Sequence, residues 1–562
     1  MQVQTKGIRS IFEPRALALI GVTEDPQSPG HIILRNLLEG GYQGRLFAIG
    51  PERVQVLGLP VHRALQDIDQ AIDLALIAAP AEALSAAIEQ CGKRRMAGAL
   101  IYDHGLPGRR GEALNQRLAD EAQRYGLRLL GPQSHGIARP AIGLNATFTY
   151  SKVTPGKVAL VSQSGALVSA ILDWAGDNAI GFSSVISLGS ASDIAFWESL
   201  DYLAADPQTD SILLYVEGIR HRRRFMSSLR AAARTKPVIV FKAGRQPAGS
   251  QAALTHSRAM VGSDQVFNAA LSRAGAVRVD SFVQLFSAAQ CLSSRYRAFG
   301  NRIAIVSNGA GPGIIAADWA TDCGIEIAAF APETLTRLEA ALPAGSSRAN
   351  PLDLLSDAGP QRYGQILSIC LEDSQLDGVL AILTPQPASQ PMQTAEALIQ
   401  LSRAQDKPVV ACWMGDAQVQ PARATLAQAL VPTFRTPEPA VESFSHVAGY
   451  YRNQKLLMQV PGPLSRQEPP DLDGAKLVIE IALGERRKVL NEMESKALLA
   501  AFRIPVAHTM IARSASEAIM IAEQIGFPVA LKVSSPDIAH KSAVNGVRLN
   551  VANARAAHSA YL

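Results

Sequence analysis

His256 is the residue of this chain whose type and setting most clearly allow chemistry. It stands in the run Ala-Ala-Leu-Thr-His-Ser-Arg-Ala-Met-Val-Gly-Ser-Asp, residues 252–264. Neutral imidazole is nucleophilic near pH 7, because its unperturbed pKa is about 6.5. The small residues 244–250 before it follow a strand-like run, 237–243, and predict a loop in which His256 can reach its neighbours. A lone loop histidine is more often a surface residue, so this assignment depends on the rest of the chain.

Two predicted helix starts have the composition of phosphate cradles. Strand-like runs at 157–161 and 302–306 lead directly into short polar or glycine-rich turns and then into helices. Hydroxyls and amides at a helix N-terminus bind anions, because unpaired N–H groups and the helix dipole favour negative charge. A serine-hydrolase elbow would read G-x-S-x-G, but Ser162 occupies the place of its first glycine, which excludes that class. The candidate phosphate ligands are Ser162, Gln163, Ser164, Gly165, Asn308, Gly309, Gly311 and Gly313.

Glu217 follows the strand-like run 211–216 and should lie at the carboxyl end of a sheet strand. An acid at that edge can orient the imidazole of His256. Without the histidine, an ordinary surface carboxylate would be an equally good interpretation of Glu217.

The first part of the chain alternates short apolar runs with helical patterns. Runs at 16–20, 46–49, 74–78, 99–102 and 127–130 predict a parallel, Rossmann-like sheet whose ligand lies beyond the strand ends. The loop from Gly21 to Gly30 suits phosphate. The G-x-G-x-x-G fingerprint is absent, and the second strand ends in Gly50-Pro51 rather than in an acid for a ribose. These features disfavour a nicotinamide dinucleotide and leave open an adenine nucleotide held in another way.

The remaining patterns predict an α/β protein with several domains. The boundaries are 8–148 for the Rossmann-like domain, 150–295 and 300–457 for two further α/β domains, 458–484 for a proline-rich linker, and 485–562 for a last segment.

Composition limits the class of protein. The chain has 562 residues, 48% hydrophobic and 18% charged, with a net charge of +5, typical of a soluble globular protein rather than of one that binds nucleic acid. Five widely separated cysteines predict reduced thiols and no zinc site. Neither a membrane span nor a signal-peptide core is evident, so we expect a cytoplasmic protein without a membrane partner.

Four motifs carry a resemblance to a known family. They are 129–136 (Leu-Leu-Gly-Pro-Gln-Ser-His-Gly), 143–147 (Gly-Leu-Asn-Ala-Thr), 161–166 (Val-Ser-Gln-Ser-Gly-Ala) and 171–174 (Ile-Leu-Asp-Trp). In this order the chain resembles the NDP-forming acyl-CoA synthetases, relatives of succinyl-CoA synthetase. The resemblance implies a CoA-binding Rossmann domain, two flavodoxin-like ligase domains and the start of an ATP-grasp domain.

The resemblance also implies a reaction and a distribution of roles. In that family phosphate passes from ATP to a histidine and then to a carboxylate, and CoA attacks the acyl phosphate. His256 would be the phosphorylated residue and Glu217 its orienting acid. CoA, ATP or another NTP with Mg²⁺, and a small carboxylic acid would bind, with a separate ATP-grasp subunit or a homo-oligomer as possible assemblies. CoA would be held by Gly21, Thr23, Pro51, Arg53, Pro80, Gly131, Pro132, Gln133 and Ser134, and the nucleotide by Lys532, His540 and Lys541.

Departures from the family pattern support a second hypothesis. The usual His-Thr-Gly reads His256-Ser257-Arg258, and 433–437, 451–455 and 535–542 resemble bacterial protein lysine acetyltransferases. The chain could then be a CoA- or acyl-CoA-sensing module, truncated from such a protein and without ligase turnover. Under either hypothesis the sequence stops at Leu562, before the family's Mg²⁺-binding acids, so we expect incomplete use of ATP.

Overall fold

The first sheet is parallel apart from one edge, and helices cover both of its faces. Leu17 and Leu19 of the first strand pack with helix residues 33–37, whereas Ala18 packs on the opposite face with helix residues 84–91. Burial on both faces explains why these strands are apolar throughout. The strand order is β3-β4-β2-β1-β5-β6-β7, with β3 and β4 antiparallel, which confirms the predicted Rossmann-like class. The elements are α1 (Gln2–Phe12), β1 (Ala16–Ile20), α2 (Pro29–Glu39), β2 (Arg45–Ile49), β3 (Gln55–Val56), β4 (Leu59–His62), β5 (Leu74–Ile77), α3 (Ala81–Lys93), β6 (Gly98–Ile101), α4 (Gly108–Tyr125) and β7 (Arg128–Leu130).

The computed structural model describes a defined set of residues. These are 2–51, 55–102, 108–177, 180–256, 263–292, 300–459, 469–535, 538 and 541–562, and of 2–6, 108–109, 177, 254–256, 290 and 543 it describes the backbone alone. No helix in these ranges has both the length and the apolar character that crossing a bilayer requires.

The second sheet has the order β14-β13-β12-β10-β11-β8-β9. Its strands β8 and β9 lie within the range predicted for the first domain, yet they pair antiparallel with β11 and with each other. The chain therefore leaves the first sheet near residue 131, before the proposed boundary at 148–150. The elements are β8 (Gly136–Arg139), β9 (Leu144–Thr147), β10 (Pro155–Ser162), α5 (Gly165–Asp177), β11 (Phe182–Ser187), α6 (Phe196–Ala205), β12 (Ser211–Val216), α7 (Arg222–Ala233), β13 (Val238–Lys242), α8 (Pro247–His256), α9 (Asp264–Ala274), β14 (Val277–Val279) and α10 (Phe282–Leu292).

The third sheet is parallel, with the order β16-β15-β18-β19-β20, and β17 adds to β15 at one end. Its last helix also contacts the second sheet: Gln454 and Asn453 donate hydrogen bonds to the carbonyls of Ala233 and Ala276. The elements are β15 (Arg302–Ser307), α11 (Ala310–Asp322), β16 (Glu326–Ile327), α12 (Pro332–Ala341), β17 (Leu352–Asp353), α13 (Pro360–Glu372), β18 (Gly378–Leu383), α14 (Pro391–Ala404), β19 (Val409–Trp413), α15 (Gln420–Gln428), β20 (Thr433–Phe434) and α16 (Pro437–Met458).

Contacts divide the chain into two units, Met1–Gln459 and Val460–Leu562. The second unit contains α17 (Leu472–Gly484), α18 (Glu492–Ala501), α19 (Ala515–Ile525), β21 (Val529–Lys532), β22 (Val547–Val551) and α20 (Ala554–Tyr561).

Helix α17 corrects the predicted linker, 458–484, over most of its second half. Asp471 caps this helix by accepting a hydrogen bond from the Gly474 amide. The cap and the helix-forming residues that follow it determine the local structure, and the proline-rich composition stops at residue 470.

Candidate active site

The carboxyl ends of neighbouring strands meet at one edge of the second sheet. Ser162 at the end of β10 is in register with Ser187 of β11 and with Tyr215 of β12. Ligands of open parallel sheets bind at this kind of edge. Glu217 directly follows β12, and the segment that carries His256 leaves the same edge from β13. The fold therefore brings the predicted turn, the acid and the segment with the histidine to one side of the sheet.

The turn at residues 162–165 is held by its own polar groups. The buried Ser162 hydroxyl donates to the Ser164 carbonyl over 2.9 Å and accepts from the Ser164 amide over 3.1 Å. The Ser164 hydroxyl accepts from the Leu167 amide over 3.3 Å. Within this turn the structure shows no hydrogen bond to the amides of Gly165 and Ala166. Those two amides are the groups left for an anion, and the serine side chains shape the turn.

Glu217 is fixed through its backbone. The Gln163 side-chain oxygen accepts from the Glu217 amide over 2.7 Å and from the Gly218 amide over 3.0 Å. Burial, together with the nearby charge of Glu217, raises the pKa of Tyr215 to about 12. Tyr215 therefore stays protonated as a donor at neutral pH. Gln163 is in place, but its side chain is engaged with the protein itself.

His135 lies over the start of α5, and its contribution to the site was not predicted. A Cβ on Gly165 would lie 1.8 Å from His135 Nδ1, so the imidazole occupies the space of a side chain there. The ring of Phe148 stands 5.9 Å away, centroid to centroid. The histidine comes directly after Ser134 in the resemblance motif, which is the signal that could have identified it.

The predicted CoA loop 131–134 reaches across from the first sheet to the edge of the second. Ser134 is buried, and its hydroxyl donates to the Ser187 carbonyl over 2.6 Å. The carbonyl of Pro132 accepts from the Ser190 amide over 2.9 Å. Gln133 has a φ of 63° and turns the chain between them. This loop thus lies beside the candidate phosphate turn.

A second part of the predicted CoA site surrounds the loop after β1. A Cβ on Gly21 would come within 2.1 Å of the Ala78 carbonyl oxygen, so only glycine allows the loops after β1 and β5 to touch. Thr23 donates to the Ser28 hydroxyl over 2.6 Å, and Ser28 caps α2. Pro80 is the cap residue of α3. The adjacent strand order β2-β1-β5 makes this the switch point of the sheet.

Two of the predicted CoA and nucleotide ligands cannot be placed at these sites. Pro51 is exposed after β2, but Arg53 lies outside the described residues, as does His540.

The helix that ends at His256 corrects the predicted loop. Residues Pro247–His256 form α8, so the segment after Gly244 becomes helical within a few residues, and the side chain of His256 is not among those described. Alanine, glutamine and leucine favour this helix despite the small-residue composition.

The chain after His256 returns to the same sheet edge at Asp264, which starts α9. Burial tends to raise the Asp264 pKa, but hydrogen bonds from Arg278 (2.7 Å) and Lys242 (3.2 Å) outweigh it and lower the pKa. Lys242 is the last residue of β13. The start of α9 is therefore tied to the carboxyl end of that strand.

The second candidate cradle repeats the arrangement of the first. Asn308 is buried and directly follows β15. Its side-chain oxygen accepts from the Thr384 backbone amide over 2.8 Å, and its side-chain nitrogen donates to the Thr384 carbonyl over 2.8 Å. Gly309 is the cap residue of α11, while Gly311 and Gly313 belong to its first turn. A Cβ on Gly311 would meet no atom within 4 Å, which leaves open space over the helix start.

In the second unit, the predicted nucleotide lysines converge on an acid that was not predicted. Glu492 Oε1 lies 3.3 Å from Lys532 Nζ and 3.4 Å from Lys496 Nζ, and Oε2 pairs with Lys541. Hydrogen bonding to Lys541 is the main reason that the pKa of Glu492 falls to about 2. The spacing of Glu492 and Lys496 signals only their own contact, since the other two lysines lie far along the chain. Among the described residues, no group of three or more His, Cys, Asp or Glu could hold a metal ion.

Family profiles match the chain in the predicted order. They are described as CoA binding domain (15–140), succinyl-CoA ligase like flavodoxin domain (155–292), ligase-CoA domain (303–453) and ATP-grasp domain (481–562).

Individual proteins match over most of the chain. "Acetate--CoA ligase [ADP-forming] I" of Archaeoglobus fulgidus is 37% identical over 543 residues, which cover 96% of this chain and 77% of that protein. The alpha subunit of the Pyrococcus furiosus ligase I is 31% identical over 446 residues, 78% of this chain and 96% of that subunit. A structure titled Candidatus Korarchaeum cryptofilum dinucleotide forming acetyl-coenzyme A synthetase 1, in complex with phosphate and ADP, is 30% identical with a TM-score of 0.76; the match covers 81% of this chain and 99% of that one.

These comparisons decide between the two hypotheses. The relatives are named as ligases, and they give no support to the sensing module or to the likeness to lysine acetyltransferases. Four matching domains in the family's order, on a fold that brings the predicted cradle and acid to one sheet edge, show that the chain belongs to the NDP-forming acyl-CoA synthetases and is an acid–thiol ligase.

Proposed function

We propose that the carboxyl edge of the second sheet is where acyl phosphate, CoA and the phosphorylated histidine exchange groups. A carboxylate oxygen attacks phosphorus on phospho-His256, which releases the imidazole and forms the acyl phosphate. The CoA thiolate then attacks the carbonyl carbon, and inorganic phosphate leaves. ATP restores phospho-His256 with release of ADP, so the cycle converts ATP, acid and CoA into ADP, phosphate and acyl-CoA.

One observation carries this proposal: the loop at 131–134, the turn at 162–165 and Glu217 lie at the same sheet edge. Thioester formation requires the CoA thiol to reach the carbon of an acyl phosphate whose phosphate is held in the cradle. The free amides of Gly165 and Ala166 suit that phosphate. Glu217 would orient the His256 imidazole by accepting a hydrogen bond from one ring nitrogen.

The described groups also fit CoA and a nucleotide in two separate places. The close approach at Gly21 and the capped start of α2 give backbone amides for the CoA phosphates, at the switch point of the first sheet. Lys532 and Lys541 supply positive charge for nucleotide phosphates. Mg²⁺ would accompany the nucleotide and offset its charge.

We assign the acid substrate only to the class of small carboxylic acids, because one relative is named for acetate and another for 4-hydroxybutyrate. A separate ATP-grasp subunit is a reasonable partner, since the Pyrococcus furiosus relative is itself one subunit. The five cysteines are free thiols, which supports a reducing compartment such as the cytoplasm. We keep 8–148, 150–295, 300–457 and 485–562 as the proposed domain limits along the sequence, with β8 and β9 of the first range pairing in the second sheet.

The half-reaction that needs no nucleotide tests the histidine. Acetyl-CoA with radioactive phosphate should label the wild-type protein, and the label should be stable to alkali and labile to acid. His256→Ala should remove the label, and Glu217→Gln should slow its appearance about 10-fold to 100-fold. Labelling that persists in His256→Ala would refute this assignment.

Calorimetry tests the CoA site independently. CoA should bind to wild type and to His256→Ala with equal affinity, while NAD should bind much more weakly. Preferential binding of NAD would refute the assignment of the first sheet.

A further inference from the structure

The side chain of Gln163 makes three hydrogen bonds within the protein. Its oxygen accepts from the amides of Glu217 (2.7 Å) and Gly218 (3.0 Å), and its nitrogen donates to the Gly218 carbonyl over 3.0 Å. Its backbone amide donates to the Tyr215 carbonyl over 3.3 Å. Only one orientation of the amide satisfies all three side-chain contacts. Gln163 therefore binds the segment after β12 at two consecutive residues, which occupies both acceptor positions of its oxygen and one of its two N–H donors.

The same position is used in the same way in the next domain. Asn308 directly follows β15, as Gln163 directly follows β10, and it binds both backbone groups of Thr384, the first residue after β18. In both domains the strand that is reached, β12 or β18, is the hydrogen-bonded neighbour of the strand that precedes the amide, β10 or β15. An amide at this position thus holds the start of the neighbouring loop. The first domain differs in what is held, because there the held residue is the acid Glu217.

Aromatic packing steadies the strand that carries Glu217. The ring of Tyr215, two residues earlier on β12, stands 5.7 Å from the ring of Phe241 on β13 and packs edge-on against it. The backbone of Glu217 is thus held by Gln163 from the β10 side, at the end of a strand that packs against β13. An acid whose backbone is held in this way loses less freedom when it orients an imidazole.

We infer that Gln163 is a positioning residue for Glu217 in transfer of the phosphoryl group at His256. This inference rests on the proposed function for its effect on the reaction, but the clamp itself does not. Loss of the clamp would let the Glu217–Gly218 segment move. A misplacement of about 1 Å in such a group can slow a reaction about 100-fold.

The test uses Gln163→Met, which keeps the length and volume of the side chain and removes its hydrogen bonds. The matched control is Gln454→Met, since Gln454 is another glutamine whose side chain binds backbone, donating to the carbonyls of Ala233 and Gly275 before β13 and β14. Those carbonyls lie at the amino ends of the strands, away from the proposed site. The full chain is labelled with radioactive phosphate and acetyl-CoA, each at saturating concentration. Hydrogen exchange of the peptide containing Glu217 and Gly218 is measured on the same proteins.

We expect Gln163→Met to slow labelling about 10-fold or more with the affinity for CoA unchanged, while Gln454→Met stays within about twofold of wild type. The amides of the peptide containing Glu217 should exchange faster in Gln163→Met alone. In the double variant with Glu217→Gln, the rate should equal that of Glu217→Gln by itself, because the two residues act as one unit.

Other results overturn the inference. One is a labelling rate in Gln163→Met equal to that of wild type. Another is a double variant whose loss of rate is the product of the two single losses. A third is hydrogen exchange of the Glu217 peptide that is the same in Gln163→Met and wild type. A wild-type protein that is never labelled would instead refute the proposed function, and the exchange measurement would still decide whether the clamp exists.

Discussion

Gly165 shows how a single residue at the start of α5 determines what lies above the candidate cradle. Any side chain there would occupy the position of the His135 ring, whose Nδ1 is 1.8 Å from an ideal Cβ. The ring cannot simply withdraw, because Phe148 packs beside it and the His135 amide donates to the Ser187 hydroxyl over 2.9 Å. Because Gly165 has no side chain, the His135 imidazole can lie over the start of α5, beside the turn at 162–165.

Gly165→Ala should destabilise the protein by about 1–3 kcal/mol, because the added methyl group forces the His135 ring out of its position. Gly176→Ala, in the same helix with no atom within 4 Å of the new Cβ, should stabilise it by up to about 1 kcal/mol. Urea unfolding of the two variants provides the measurement. Equal stability of both variants would show that the collision does not exist.

At the scale of elements, an ionic junction connects α1, β8 and α6. Arg139 of β8 is buried and pairs with Asp206, which directly follows α6, over 2.5 Å. The Nη2 atom of Arg139 lies 3.3 Å from Oε1 of Glu13, the residue that follows α1. The same Glu13 oxygen accepts a hydrogen bond from the Tyr202 hydroxyl over 2.8 Å. The N-terminal helix is thus connected to α6 and the second sheet through charges as well as through the Phe12 ring, which stands 4.8 Å from the Tyr202 ring.

The junction should make stability depend on pH in a defined direction. Burial tends to raise the Asp206 pKa, but hydrogen bonds from Arg139 and Thr209 outweigh it and lower the pKa to about 2. A carboxyl whose pKa is lower in the folded state stabilises the fold above its unfolded pKa, and this stabilisation is lost as the pH falls towards 2. Asp206→Asn should therefore cost about 2–4 kcal/mol at pH 7.

The difference between wild type and Asp206→Asn should shrink as the pH falls from about 5 to 2. Urea unfolding at several pH values gives this difference. A constant difference across that range would show that Asp206 is not the titrating group, and Asp201→Asn, on an exposed position of α6, serves as the control.

At the scale of the whole molecule, the chain has one large unit and one small unit with separate cores. The buried clusters around the three large sheets involve only residues before 460, and a small cluster around Ala522, Val551 and Ala557 belongs to the second unit. The match to the Pyrococcus furiosus alpha subunit has a length close to that of the large unit. The division between units is therefore a natural place to separate the chain.

Residues 1–459 expressed alone should fold, because their cores do not require the second unit. Calorimetry should show a transition within about 3 °C of the main transition of the full chain, since the same apolar surface is exposed on unfolding. The fragment should also bind CoA as the full chain does. An unfolded or aggregated fragment would contradict the division.

The sequence by itself determined the parts of this protein that depend on local patterns. Short continuous apolar runs such as 16–20 and 74–77, separated by helical patterns, are typical of strands covered on both faces, so the largely parallel sheets were predictable. Motifs in a fixed order identified the family, which the comparisons confirm. The turn at Ser162 was predicted correctly as the start of a helix, because a polar turn after a buried strand is a local signal.

Only the tertiary structure decided which distant residues meet. Strands β8 and β9 join the second sheet, and nothing in the periodicity of residues 136–147 names their partner. Gln163 is a residue type that can bind phosphate, yet its side-chain oxygen accepts a hydrogen bond from the backbone amide of Glu217, 54 residues away. His135 reaches Gly165, and Glu492 reaches Lys541, 49 residues away, for the same reason. These contacts depend on strand register and on the close approach of loops, and both are set by packing of the whole unit rather than by neighbouring residues.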